Sequence, residues 1–136
     1  MLPLSSIRDW IASLGVVDDK YVYSGKLDSK VKQSIGVYNR RQEGMPPRTT
    51  LGGIDTKKYD IKRISLLVHG DEYQRKTEAL AFRLWKAIEQ AKDVTINNRS
   101  IYIIQFVVPE PVDVSTDDNG IYEFVIWVDF YYQEGD

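Results

Sequence analysis

The sequence predicts an α+β fold in which a mostly antiparallel or mixed β-sheet is packed by one long central helix at about 71–92. The helix is predicted by apolar residues that recur at intervals of three and four positions, which places them on one face. These residues are Tyr73, Thr77, Leu80, Ala81, Leu84, Trp85, Ile88 and Ala91. The sheet is predicted by three apolar runs of strand composition, at 61–68, 101–108 and 121–132. We expect the helix stripe and these runs to form the core.

Length and composition indicate one domain over 1–136, because 136 residues with 43% hydrophobic content can bury a core without metals or disulfides. The chain has no cysteine and one histidine, His69, which argues against thiolate catalysis, cysteine-based zinc sites and any site that needs two histidines. We therefore expect no enzyme, no cofactor and no metal. No apolar run reaches the ~18–20 residues of a membrane span, and the start of the chain lacks a secretory pattern, so a soluble cytoplasmic product without membrane contact is expected.

Charge is unevenly distributed along the chain, although the formal net charge is only −2. Residues 1–70 contain 12 Lys and Arg against 7 Asp and Glu, whereas residues 71–136 contain 6 against 13. A basic and an acidic surface on one molecule suit head-to-tail self-association or contact with a polyanion. Ordinary variation in surface composition is the alternative explanation.

A short first helix is predicted at about 6–14. Ser6 is a suitable N-cap, Asp9 stands at the third helical position as its partner, and Gly15 ends the run. Because isolated helices shorter than ~12 residues do not persist, Trp10 must dock on the domain or on another subunit. Two brief strand candidates follow, at 21–23 and 34–38.

The segment 39–60 is predicted to be a long loop, since it contains glycines and two prolines and lacks apolar periodicity. Connections longer than ~12–15 residues without structure of their own are usually functional or mobile. The basic residues of this loop are its candidate contact residues, and a solvated loop without a role is the alternative. They are Arg40, Arg41, Arg48, Lys57 and Lys58.

The strand at 61–68 is expected to end at His69-Gly70, where the central helix begins at once. Asp71 and Glu72 are predicted in the first turn of that helix and Lys92 in its last turn, where each charge complements the helix dipole. A polar turn at 97–99 then predicts a hairpin, and Asn119-Gly120 predicts a second tight turn before the final strand.

The final strand has two different faces. Its even-numbered residues from Tyr122 to Tyr132 are all apolar or aromatic and are expected to face the core. Its odd-numbered residues combine charge with large rings, which is typical of a protein interface. The candidate subunit interface consists of Glu123, Trp127, Asp129 and Tyr131. Coverage of this face by the first helix is the alternative.

Catalytic and metal-binding motifs are weakly supported. His69 stands where a strand meets a helix, but no Ser or Cys nucleophile with a matching acid can be argued near it. Residues 115–120 match part of a calcium loop, but position one lacks a carboxylate and position twelve is Ile126. A hairpin turn is the better interpretation of that segment.

Several segments occur in a characteristic order: VYSGKL, then SIGVYNRR with a Gly/Pro-rich loop after it, then ISLLVHG running into the long helix, and finally IWVDFYY. This order resembles the small tail-terminator proteins of phages and prophages of Gram-positive bacteria, which are often labelled minor capsid proteins. The resemblance covers nearly the whole chain.

The resemblance implies a structural protein of the virion, at the neck end of the tail, that is assembled in the host cytoplasm. Its subunits would form a homo-oligomeric ring, expected to be a hexamer, that caps the tail tube, ends its elongation and offers the docking surface for the head connector. Partners would be other copies of the chain, the tail tube protein and the head connector or head-completion protein, with transient, non-specific passage of DNA. The basic loop residues would line the channel or the tube-facing rim.

Three alternatives stay open at this point, the last of them a small enzyme, which would require a pocket around His69. Another ring-forming head–tail joining protein of the neck would share the ring and contact a different partner. A nucleic-acid-binding α+β module would use the basic loop with Tyr59 as a stacking ring, and it would need an exposed aromatic and basic sheet face that the strand patterns do not show.

Overall fold

The computed structural model describes residues 2–40 and 59–133. Within these ranges the chain forms two α-helices, one short 3-10 helix at Asp19–Tyr21 and seven strands, so the predicted α+β class is confirmed. The helices are α1 (Leu4–Ser13) and α2 (Gln74–Glu89). The strands are β1 (Val22–Ser24), β2 (Ser34–Asn39), β3 (Tyr59–His69), β4 (Thr95–Ile96), β5 (Arg99–Phe106), β6 (Val112–Thr116) and β7 (Tyr122–Gln133).

The strands form one mixed sheet in the order β1-β2-β3-β7-β5-β4, with β6 also paired to β7. Only the β1–β2 pair is parallel among the described strands, so the sheet is mostly antiparallel as predicted. The longest ladder joins β3 to β7, from Tyr59 opposite Gln133 to His69 opposite Glu123. On its other edge, β7 pairs with β6 near its start and with β5 near its end. The middle of β7 is therefore the centre of the sheet.

Both helices pack on the same face of the sheet. Ile7 of α1 and Leu84 of α2 belong to one buried cluster with Leu66 of β3. The ring of Trp10 meets the ring of Phe130 edge-on, with centroids 5.7 Å apart. The alternative in which α1 covers the odd-numbered face of the last strand is therefore wrong, because Trp10 docks on the even-numbered face.

The first helix starts earlier than predicted. It begins at Leu4 with Pro3 as its N-cap, so Ser6 lies inside the first turn, where its N–H donates to the Pro3 carbonyl at 3.1 Å. Leu2 is fully buried and anchors the chain just before the helix, which the capping pattern does not reveal. The predicted end is confirmed, since Gly15 has the positive φ of +74° that a helix-terminating glycine adopts.

The central helix is shorter than the predicted 71–92, because it begins at Gln74 and ends at Glu89. Asp71 stands before the helix, where its carboxylate accepts the N–H of Tyr73 at 2.8 Å. The backbone N–H of Asp71 donates to Thr77 Oγ1 at 3.1 Å. These bonds hold residues 71–73 in a turn, so neither Asp71 nor Glu72 is in the first helical turn. The cation of the last turn is Lys86, and Lys92 lies beyond the helix.

The two tight turns are confirmed. Asn97 and Asn98, which join β4 to β5, both have positive φ, at 52° and 61°, as a two-residue hairpin turn requires. Gly120 has φ +77° in the turn before β7. The predicted loop 39–60 is bounded by strands, since β2 ends at Asn39 and β3 begins at Tyr59. Residues 41–58 lie outside the described part of the chain.

Candidate assembly interface

The sheet face opposite the helices has no helix on it in the described part of the chain. Strand register defines this face, because it places Ser65 beside Trp127 and Leu67 beside Val125. Residues of β5 and β6 extend it across the other edge of β7, where Ile103 pairs with Tyr131 and Val112 with Val125. We call this surface the outer sheet face. It consists of Ile61, Arg63, Ser65, Leu67, His69, Ile103, Val112, Glu123, Val125, Trp127, Asp129 and Tyr131.

Three apolar side chains of the outer sheet face are open to water. Trp127 is 42% exposed, Ile103 is 54% exposed and Val112 is 42% exposed. On the helix-covered side of the same strand, Ile126 and Val128 have no exposure at all. Exposed apolar side chains that share one sheet face with an exposed tryptophan are typical of a protein interface.

Asp129 and Arg40 were predicted as surface contacts, and the structure pairs them with each other. Arg40 Nη2 donates to Asp129 Oδ1 at 2.6 Å, and the two side chains are only 9% and 13% exposed. The backbone N–H of Arg40 donates to the Arg63 carbonyl at 3.0 Å, and Arg63 lies opposite Asp129 in the ladder. Because this ion pair is mostly buried, both charges are engaged inside the subunit, and neither serves as a freely exposed contact.

Glu123 and Tyr131 are also engaged within the subunit. Glu123 Oε2 lies 2.8 Å from Nδ1 of the fully buried His69. The ring of Tyr131 lies 5.7 Å from the ring of Tyr59. Of the four interface residues predicted from sequence, Trp127 is therefore the one with a largely exposed side chain.

The outer sheet face contains residues that sequence analysis missed. Ile103 and Val112 lie beside β7 only because β5 and β6 share one of its edges, and a β-bulge between Ile101 and Ile103 turns Ile103 outward. Leu67 could have been found from alternation within β3, since it is an odd-numbered residue like Ser65. Arg63 could have been found in the same way.

The remaining loop candidates, Arg41, Arg48, Lys57 and Lys58, lie outside the described residues. No helix in the described ranges is both long enough and apolar enough to cross a membrane.

Comparison with protein families gives one informative match. A family model described as "Bacteriophage tail terminator protein" matches residues 10–133. This range runs from the middle of α1 to the last residue of β7 and so includes the whole sheet. Searches of curated proteins and of solved structures found no match. By the extent of the family match, this chain belongs to the bacteriophage tail terminator proteins.

Proposed function

We propose that copies of this protein assemble into a ring, a hexamer, that caps the finished tail tube, ends its elongation and provides the docking surface for the head connector. Membership in the tail terminator family supports a structural role in a phage tail. The observation that carries the ring proposal is the exposure of Trp127, Ile103 and Val112 on the outer sheet face. A second copy of the chain is the proposed occupant of that face.

A closed ring with one kind of interface needs two different, complementary surfaces on each subunit. The second surface that we propose is an apolar patch on the helix layer, on the opposite side of the sheet. It is centred on Phe82, which is 40% exposed, and includes Leu14, Val16 and Ala79. Two apolar surfaces on opposite sides of one subunit suit head-to-tail contact, in which the outer sheet face of one copy meets the Phe82 patch of the next.

The same geometry argues for a protein partner rather than a nucleic acid on the outer sheet face. Single-stranded nucleic acids bind where exposed rings are combined with exposed cations. Arg40 is instead buried against Asp129, and Glu123 adds a second carboxylate to the face. Burial of Trp127, Ile103 and Val112 by another apolar surface would stabilise contact by about 25 cal/mol for each Å² removed from water.

We also propose that Arg41, Arg48, Lys57 and Lys58 face the ring channel or its tube-facing rim, where DNA passes. Contacts with phosphate that are independent of sequence weaken steeply with salt, which suits a molecule that must slide. The test reverses Arg41 and Arg48 to Glu and leaves Arg40 unchanged, because Arg40 belongs to a buried ion pair. We expect phage titres to fall in a complementation assay. Wild-type titres with normally capped, head-joined tails would refute this role.

The ring proposal is tested by mixing the purified protein with tail tubes of its phage and imaging the tubes by negative-stain electron microscopy. We expect wild-type protein to form a ring at one tube end and to limit tube length. The Trp127→Ala variant should cap far fewer tubes than the wild-type protein. Tyr73→Ala is the matched control, because Tyr73 is a 55% exposed ring outside both proposed surfaces and should leave capping unchanged. A wild-type protein that stays monomeric with tubes and leaves their ends bare would overturn the proposal.

A further inference from the structure

Three potential metal ligands converge where β7 begins. His69 closes β3, Glu123 lies opposite it in β7, and Asp117 belongs to the turn between β6 and β7. His69 Nδ1 is 2.8 Å from Glu123 Oε2 and 3.8 Å from Asp117 Oδ2. One ligand atom from each of the three residues lies within 4.8 Å of the other two. His69 is fully buried, and both carboxylate side chains are less than one-fifth exposed.

The second ring nitrogen of His69, Nε2, has a hydrogen-bond partner outside this cluster. Nε2 lies 3.0 Å from the backbone carbonyl of Ser29, in the segment between β1 and β2. A carbonyl oxygen only accepts hydrogen bonds, so Nε2 carries a proton and donates it. In the neutral ring this leaves the lone pair of Nδ1 directed at the two carboxylates. A histidine that ligates a metal usually has its second nitrogen fixed by a carbonyl or carboxylate in this way.

Asp117 is oriented by the backbone as well. Its Oδ1 accepts the N–H groups of Asn119 at 2.9 Å and of Ile121 at 3.0 Å. In the described part of the chain no hydrogen bond is formed by Oδ2, which faces His69. The two backbone bonds therefore fix the carboxylate with one oxygen presented to the cluster.

The ring nitrogen and the two carboxylate oxygens face one another, an arrangement in which one metal ion could contact all three. A proton on Nδ1 would form a hydrogen bond to Glu123 but would not reach Asp117, whose oxygen at 3.8 Å is beyond hydrogen-bonding distance. A metal ion would contact all three atoms. Zinc bonds to nitrogen and oxygen are about 2.0–2.2 Å long, which places neighbouring ligand atoms about 3–3.5 Å apart. The two separations from His69 Nδ1, 2.8 Å to Glu123 and 3.8 Å to Asp117, lie on either side of that range.

We propose that His69, Asp117 and Glu123 bind one divalent transition-metal ion, with Zn²⁺ as the best match. An imidazole ligand favours zinc over magnesium and calcium, which prefer all-oxygen sites. The scarcity of histidine and cysteine led to the sequence-based expectation of no metal, but one histidine is sufficient when two carboxylates complete the ligand set. The ion would connect the end of β3, the start of β7 and the β6–β7 turn, so it would stabilise the fold.

The experiment is isothermal titration of ZnCl₂ into the tag-free, metal-stripped full chain at neutral pH, followed by thermal unfolding with and without zinc. We expect one ion per chain and a higher unfolding midpoint with zinc. Asp117→Asn and Glu123→Gln should each weaken binding by at least about tenfold, since loss of even an outer-shell partner has that effect. Asp118→Asn is the matched control, because Asp118 is a neighbouring exposed carboxylate outside the cluster, and it should bind zinc like wild type.

The wild-type titration decides the matter even if a variant fails to fold. No saturable binding would mean that His69 serves only as a buried hydrogen-bond partner of Glu123, and that result overturns the proposal. Unchanged affinity in folded Asp117→Asn and Glu123→Gln proteins would place the zinc elsewhere and would overturn it as well.

Discussion

The buried Arg40–Asp129 pair gives a prediction whose size follows from the structure. Both side chains are more than four-fifths buried, and the charged atoms are 2.6 Å apart. Removing one partner of a buried pair leaves an uncompensated charge in a poorly solvated site, which typically costs about 3–5 kcal/mol. Such a loss is a large fraction of the free energy of unfolding of a typical domain, which is about 5–15 kcal/mol.

The two single substitutions should differ in size. Asp129→Asn leaves Arg40 beside Arg63, and Arg63 Nε and Arg40 Nη1 are already buried without a hydrogen-bond partner among the described residues. We therefore expect Asp129→Asn to lower the free energy of unfolding by about 5 kcal/mol. Arg40→Met leaves Asp129 opposite Arg63 and should lose only about 3 kcal/mol. The double variant Arg40→Met/Asp129→Leu removes both charges together. Its loss of unfolding free energy should therefore be smaller, by about 1–3 kcal/mol, than the sum of the two single losses.

The assay is urea unfolding followed by tryptophan fluorescence, since the chain has three tryptophans. Lys32–Glu72 is the control pair, with the same type of contact at 2.8 Å but with side chains 55% and 49% exposed. The contact raises the pKa of Lys32 and lowers the pKa of Glu72, yet water screens it, so Lys32→Ala should leave the urea midpoint nearly unchanged. Losses below about 1 kcal/mol for both single substitutions at the buried pair would refute this reasoning.

Two further predictions concern the core and the turn before α2. Trp85 is 8% exposed and stacks on Phe106 with centroids 3.6 Å apart, so Trp85→Ala should lose about 3–5 kcal/mol in thermal unfolding. The exposed Phe82 on the same helix is its control, and an equal loss for Phe82→Ala would contradict the assignment of the two faces. A Cβ added at Gly70 would collide with the side chain of Thr77, so Gly70→Ala should lose about 1–3 kcal/mol by overpacking. An unchanged urea midpoint for Gly70→Ala would show that the turn can shift without penalty.

Local patterns predicted most of the fold because the responsible residues are close in sequence. The stripe of α2 and the alternation of β7 were recognised since one face of each element is buried. The start of α2 was misplaced because the Asp71 carboxylate binds the Tyr73 N–H and stabilises a turn instead of a helix. Strand β6 was missed because it is short, directly follows Pro111, and has all five of its residues, Val112–Thr116, exposed, so that its apolar and polar side chains do not mark a buried face.

The candidate interface was predicted only in part, because its residues come together through strand register. Trp127 was found from the mixed character of one strand face. The positions of Ile103 and Val112 on the same face depend on how β5 and β6 divide one edge of β7, which no local pattern specifies. The engagement of Asp129 by Arg40 was missed for the same reason, since 89 positions separate the two residues.

The most direct test of the central claim is the chemical accessibility of the outer sheet face before and after assembly on tail tubes. The chain has no cysteine, so a single introduced thiol reports on one position. Ile103→Cys lies on the outer sheet face and Tyr73→Cys lies outside both proposed surfaces, and the native side chains are 54% and 55% exposed. If the outer sheet face closes the ring, the thiol at 103 will react with a maleimide much more slowly in capped tubes than in free protein, while the thiol at 73 will react equally fast in both. Equal reactivity of the thiol at 103 in free protein and in capped tubes would contradict the account.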